Sequence, residues 1–223
     1  TTMNKVSPSV MCINTMELKE KITALDQAKV DLYHIDIMDG HFVPNFCLNG
    51  YIMKDIAAIS RTPMDVHLMV TNPTEYIEYF AKCGAAYITM HLETLVHPIR
   101  ALKRVRELGV KAGIAINPST DISRLAYMTD DIDLVCIMTV EPGFAGQTLI
   151  PATIEKITAV RKMFADAGKD VEIMVDGQVK EATAPRLVAA GANILVVGTS
   201  GLFNTFTPEE YPKAIRFYQN LES

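Results

Sequence analysis

Eight short apolar runs, separated by longer stretches of helical periodicity, limit what this chain can fold into. They are Lys5–Val10, Leu32–Asp36, Met64–Met69, Tyr87–Met90, Lys111–Ile116, Leu134–Met138, Glu172–Val175 and Ile194–Val197. Each is four to six residues long and rich in Val, Ile, Met or Tyr, as strands buried on both faces are. Helical patterns lie between them. Thr15–Ala28 follows Asn14, an N-cap residue type. Pro73 suits the first turn of a helix to Lys82, and Gly84 its stop. Leu95–Leu108, Pro151–Ala167 and Lys180–Ala190 each end at a glycine, and a last helix runs from Pro208 to Leu221. Sharing 223 residues among eight units gives about 28 per unit, the size of a strand–helix repeat. Eight consecutive parallel strands with right-handed crossovers close into an α/β (β/α)8 barrel. An open doubly wound sheet is the competitor. It would place G-x-G-x-x-G after the first strand, where this chain reads Ser7-Pro8-Ser9-Val10-Met11.

Composition removes other classes. Apolar residues make up 49% and charged residues 21%, enough for a sizeable core and too ordered for a disordered chain. The formal net charge of −5 argues against nucleic acid and against an anionic membrane surface, while leaving room for a local anion site. Cys12, Cys47, Cys83 and Cys136 form no C-x-x-C pair and read as reduced thiols. No apolar run approaches the ~20 residues of a membrane helix, and the start of the chain has no signal pattern. The expectation is one soluble, cytoplasmic domain spanning 1–223, and no linker divides it.

Barrel chemistry collects at the C-terminal ends of the strands. There the chain carries His34-Ile35-Asp36, Asp65-Val66-His67 and Val175-Asp176-Gly177. Residues two apart share a strand face, so His34 and Asp36 point together. If the inward faces match, His34, Asp36, His67 and Asp176 converge. Two imidazoles and two carboxylates make a first shell for a divalent metal. One such residue alone is ordinarily a hydrogen-bonded structural group; four at three strand ends are harder to explain that way, because unpaired buried charge is costly. Glu141-Pro142-Gly143-Phe144-Ala145-Gly146-Gln147 follows strand six, and its glycines suit either ligand approach or a turn. Gly177 and Gly198-Thr199-Ser200 stand after strands seven and eight, where barrels commonly hold phosphate on backbone amides. Lys103–Arg106 reads as the solvated face of a helix. His41, His91 and His97 have no evident partner, and Met38, Met69 and Met138 read as core or pocket wall.

The stretches His34–Asn45, Asp65–Val70, Met138–Phe144 and Val175–Gly177, with the Ser7-Pro8-Ser9 opening, resemble the ribulose-phosphate 3-epimerase family over essentially the whole chain. That resemblance implies a ribulose-phosphate-binding TIM barrel that epimerises a ketose phosphate at C3 with one divalent metal per subunit: zinc, iron(II), manganese or cobalt. It implies metal ligands at His34, Asp36, His67 and Asp176, with Asp36 and Asp176 also the acid/base pair. Ser9 and His67 would touch substrate. Gly143, Phe144, Ala145, Gly146, Asp176, Gly177, Gln178, Gly198, Thr199 and Ser200 would line the substrate and its phosphate. A homo-oligomer, dimer or hexamer, is also implied.

Three departures bear on the substrate. Ala145 stands where the pentulose enzymes usually have glycine, Gln178 where they have the last residue of Asp-Gly-Gly, and Gly198–Asn204 where they favour Gly-Ser-Ala. They resemble the branch acting on allulose 6-phosphate, with ribulose 5-phosphate as the alternative. Two further readings are a phosphate-binding barrel lyase, which would want a lysine in strand three where His67 stands, and a sugar-phosphate binder without catalysis.

Overall fold

The computed structural model describes residues 3–222. The strands are β1 (Lys5–Pro8), β2 (Tyr33–Asp39), β3 (Phe46–Cys47), β4 (Met64–Met69), β5 (Ala85–His91), β6 (Lys111–Ile116), β7 (Leu134–Met138), β8 (Glu172–Asp176) and β9 (Ile194–Val197). Their order is β1-β9-β8-β7-β6-β5-β4-β2-β3. Every pair along that order is parallel except β2 with β3, a two-residue appendage in which Met38 faces Cys47 and Asp39 faces Phe46. The free edges of β1 and β2 meet. The Val6 carbonyl accepts from the amides of Asp31 and Leu32, and Ser9 bridges His34 in parallel. The eight parallel strands therefore close into the expected barrel.

The outer wall packs on α1 (Leu18–Gln27), α2 (Gly50–Ile59), α3 (Ile77–Lys82), α4 (Pro98–Glu107), α5 (Ala152–Asp166), α6 (Ala184–Ala189) and α7 (Tyr211–Gln219). Each buries an apolar stripe and leaves the rest to water. In α4, Ala101, Leu102 and Val105 are buried. Lys103, Arg104 and Arg106 face out, as the sequence reading holds, with Arg104 paired to Glu78 and Glu107. Inside the barrel, Leu134, Cys136, Met174 and Ile194 belong to one buried apolar cluster.

Several boundaries differ from the sequence expectation. Strand one ends at Pro8, because the chain turns into a 3-10 turn at Val10–Cys12. The second strand runs on to Asp39, where pairing with β3 extends it. Asn14 does cap its segment, accepting from the Met16 amide, but a 3-10 turn (Thr15–Glu17) precedes α1. Likewise 3-10 turns at Pro73–Tyr76 and Pro208–Glu210 open the segments leading to α3 and α7. Helix α2 lies outside the helical patterns of the sequence; Asn49 caps it through the amides of Tyr51 and Ile52. After β6 the connection carries only a 3-10 turn, Ile122–Leu125, in place of a helix. Gly84, in a left-handed conformation (φ 96°), ends the α3 segment as expected.

Candidate active site

Strand register assembles the centre. In the β2–β4 pairing His34 lies beside Asp65, and Asp36 beside His67. Parallel partners face the same side, so all four point into the barrel. Asp176 arrives from the end of β8. His34, Asp36, His67 and Asp176 each offer one ligand atom, and these atoms lie within 4.8 Å of one another. His34 Nε2 is 3.1 Å from Asp36 Oδ1 and 3.3 Å from Asp176 Oδ2. His67 Nδ1 is 3.3 and 3.4 Å from the same two oxygens. The structure thus brings together the four residues singled out at the strand ends.

Two features show that the cluster fits a cation. His34 Nε2 is fully buried and makes no well-directed hydrogen bond. Its other nitrogen, Nδ1, is 2.5 Å from Asp65 Oδ1, which holds a proton there, so Nε2 is the nitrogen that a cation can take in exchange for a proton. Asp65 in turn accepts from Ser7 Oγ at 2.5 Å. The second feature is charge. Burial alone would lower the pKa of His34, but Asp65 and Asp36 outweigh it and push it well above the usual imidazole value. Burial would raise Asp36; the two imidazoles, His34 first, instead hold it far below the usual carboxylate range. Asp176 is likewise lowered against its burial by His34 and His67. A site that favours protons on imidazoles and removes them from carboxylates favours positive charge at its centre.

The two carboxylates are not equivalent. Asp36 is 4% exposed, and its Oδ2 accepts from Ser9 Oγ at 2.8 Å. Asp176 is 20% exposed and borders the cleft. They stand on β2 and β8, three steps apart around the ring through β1 and β9.

Around the cluster a cleft opens at the C-terminal end of the barrel. Met38, Met69 and Met138 form its apolar wall, and Ser9, Gly143–Gly146, Gly177, Gln178 and Gly198–Ser200 border it. Gly177 has φ 131°, and a Cβ there would lie 2.7 Å from Thr139 Oγ1, so only glycine fits. Thr199–Phe203 forms one wide turn whose first bonds run from the Leu202 and Phe203 amides to the Gly198 carbonyl. That leaves the amides of Thr199, Ser200 and Gly201 outside the turn's own bonding. Loop 141–147 is tied by Gln147, which donates to the carbonyls of Glu141 and Phe144 at 2.6 and 2.9 Å.

Gln178 differs from the expectation that its side chain faces phosphate. Its Oε1 accepts from the Leu149 amide at 2.8 Å, and its backbone is left-handed (φ 48°). It borders the cleft while its amide binds the β7–α5 connection.

Sequence reasoning missed the group behind His67. His91, at the end of β5, presents Nε2 to His67 Nε2 at 2.8 Å. Its Nδ1 is 3.2 Å from Glu93 Oε2. Burial first, then the neighbouring His67, drives His91 down to about 4, so it is neutral near pH 7. Burial would raise Glu93, but His91, Thr120 and the Asn117 amide bring it to about 2. The signal was present: His91 and Glu93 are two residues apart at a strand end, as His34 and Asp36 are. His41 and His97 lie outside the cluster, both exposed, with His41 bonded to its own turn at Asp39.

Comparison with known proteins gives the family. The model of the ribulose-phosphate 3-epimerase family matches residues 5–203. The chain is 42% identical over 199 residues to ribulose-phosphate 3-epimerase of Bacillus subtilis, covering 89% of this chain and 92% of that one. It is 41% identical over 217 residues to the Synechocystis enzyme of the same name, covering 96% and 93%. Among solved structures, a mutant tryptophan synthase α-subunit from Pyrococcus furiosus superposes with a TM-score of 0.70 at 15% identity, covering 98% and 99% of the two chains; that likeness shows the barrel fold alone. The chain belongs to the ribulose-phosphate 3-epimerase family, a family of carbohydrate epimerases.

Proposed function

We propose that this protein inverts C3 of D-ribulose 5-phosphate, giving D-xylulose 5-phosphate, with a divalent metal held by His34, Asp36, His67 and Asp176. The observation that carries the reading is the convergence of Asp36 and Asp176 on one buried point from different sides of the barrel, together with a buried His34 Nε2 that makes no well-directed hydrogen bond there. The cation, when bound, supplies Lewis-acid stabilisation of the negative charge that develops on the ketone oxygen. Inversion needs a base on one face of C3 and an acid on the other. One carboxylate enters ionised and takes the C3 proton; the other enters protonated, as repulsion between the two neighbouring charges favours, and gives its proton to the opposite face. Ser9 orients Asp36 for this by holding Oδ2, and Asp176 stands against the cleft. For a nearly symmetric reaction the two roles exchange with direction. The methionine wall keeps water from the intermediate without offering a competing proton donor. The amides of Gly177, Gln178 and Gly198–Ser200, at the end of the cleft formed after β8 and β9, would receive the phosphate.

A second reading is allulose 6-phosphate. Its support is that Ala145, Gln178 and Gly198–Ser200, which depart from the pentulose pattern, all border the cleft. The test is solvent-deuterium incorporation at C3 of each sugar phosphate, with and without chelator. Faster, chelator-sensitive exchange on ribulose 5-phosphate is expected. Faster exchange on allulose 6-phosphate would move the enzyme to the hexulose reading, and exchange on neither would overturn both. Association into a homo-oligomer belongs to the same proposal. Tyr51 and Tyr79, 70% and 44% exposed around the start of α2, are available for it, and sedimentation equilibrium tests it.

A further inference from the structure

We infer that His91 and Glu93 are positioning residues that set which nitrogen of His67 faces the metal. The inference rests on the metal-dependent reading above. The two histidines that line the centre are presented differently. His34 offers Nε2 and is backed directly by a carboxylate at Nδ1. His67 offers Nδ1 and is backed at Nε2 by another imidazole. An imidazole pair meeting Nε2 to Nε2 at 2.8 Å holds one hydrogen between them. A ligating Nδ1 must be bare, so His67 carries its hydrogen on Nε2 and donates. His91 Nε2 therefore accepts, and His91 carries its hydrogen on Nδ1, 3.2 Å from Glu93 Oε2.

Direction along this chain is fixed at its far end. Glu93 Oε1 accepts from the Asn117 amide at 2.6 Å and from Thr120 Oγ1 at 2.5 Å. The loop carrying those donors is held by Lys156, whose ammonium donates to the carbonyls of Asn117, Pro118 and Thr120 at 3.0, 2.6 and 2.8 Å. The Asn117 amide cannot become an acceptor. Glu93 thus accepts at both oxygens, which a carboxylate can do and a carboxamide cannot. In Glu93→Gln the carbonyl stays with Asn117 and the NH2 meets His91 Nδ1. His91 must then accept at Nδ1 and donate from Nε2. His67 is forced to accept at Nε2, which puts its hydrogen on Nδ1, where the metal should be.

The experiment pairs metal affinity with a direct reading of the tautomers. Zinc affinity is measured by competition with a chromophoric chelator for wild type and Glu93→Gln, and the ring nitrogens of zinc-loaded wild type are read by 15N NMR. The expected results are hydrogens on His67 Nε2 and His91 Nδ1 in wild type, and a zinc affinity 10–100-fold weaker in Glu93→Gln. The NMR of the variant should show the His91 hydrogen moved to Nε2. A wild-type His91 carrying its hydrogen on Nε2 overturns the inference, even if the variant fails to fold. So does unchanged affinity, or weakened affinity with the His91 tautomer unmoved, which would mark a packing role. Wild type that binds no divalent cation would instead sink the metal reading itself.

Discussion

The barrel has charged residues at both mouths, and the two clusters settle their charge differently. At the N-terminal mouth Lys5, Tyr87, Lys111 and Glu172 satisfy one another. Lys5 pairs with Glu172, Tyr87 Oη donates to Glu172 Oε2 at 2.6 Å, and Lys111 Nζ lies 3.2 Å from Tyr87 Oη. At the C-terminal mouth Asp36, Asp65 and Asp176 face two imidazoles, and His34 Nε2 sits beside two carboxylates without a well-directed hydrogen bond to either. Leu134, Cys136, Met174 and Ile194 belong to an apolar cluster inside the barrel, which also holds the buried Ser7–Asp65–His34 contacts. A cluster that closes on itself contributes to the fold. One that closes only around an added cation contributes to chemistry, because its unsatisfied field is available to a ligand.

The largest expected effect of breaking this contrast is at the upper mouth. Asp36→Asn and Asp176→Asn each remove a proton-transfer group and a ligand charge, so turnover should fall by about 10³-fold or more. Each should weaken metal binding too. The metal-free variants should also be less stable than metal-free wild type near pH 7, since each loses a carboxylate that the imidazoles hold ionised below its usual range. Turnover within tenfold of wild type for both variants would sink the two-carboxylate mechanism.

Next in size is removal of the metal. A ligand at 100 times its Kd stabilises the native state by about 2.7 kcal/mol. In a chain of 223 residues that corresponds to roughly 5–10 °C in Tm. Chelation should lower Tm by that much and abolish exchange at C3. A chelator that removes activity and leaves Tm unmoved would mean the site holds its ion too weakly to matter for the fold.

How much of this contrast can be read along the chain depends on sequence distance. The barrel is legible because each buried strand is a local apolar run. His34 with Asp36, and Asp176 with Gly177, are legible because strand alternation is also local. The partnership of His34 with Asp65 is not, since it is created by the register between β2 and β4. The backing of His67 by His91, and the meeting of Lys5 with Glu172, need strands β4 and β5, or β1 and β8, brought together. Helix α2 escaped because it begins on Gly50, a weak helix former, and is stabilised by the Asn49 cap and by burial of Met53 and Ile56. The Gln178 side chain was assigned to phosphate on position alone; the Leu149 amide that it binds lies 29 residues away.

The lower mouth should show the opposite pattern, with stability lost and activity kept. Glu172→Gln leaves two ammonium groups facing a phenol with no anion between them. With Lys5 38% and Lys111 56% exposed, water screens part of that repulsion, so the cost is about 1–2 kcal/mol. Turnover and metal affinity should stay near wild type, because Glu172 bonds to Lys5 and Tyr87 and to none of His34, Asp36, His67 and Asp176. A fall in kcat with unchanged stability would show that the two clusters are coupled and remove the contrast.

The smallest effect is expected for Tyr87→Phe. Burial first, and then the Glu172 carboxylate, hold the Tyr87 phenol well above its usual pKa, so it acts as a neutral donor to Glu172 and an acceptor from the lysines. Losing the hydroxyl removes that bridge, but Lys5 still reaches Glu172 directly and both lysines still reach water. The ring also keeps its place in the apolar cluster. The cost should therefore be about 1 kcal/mol, below that of Glu172→Gln, measured by urea unfolding of the metal-loaded proteins. If Tyr87→Phe costs more than Glu172→Gln, the hydroxyl and not the ion pair organises the lower mouth, and its charges are arranged around a neutral hub.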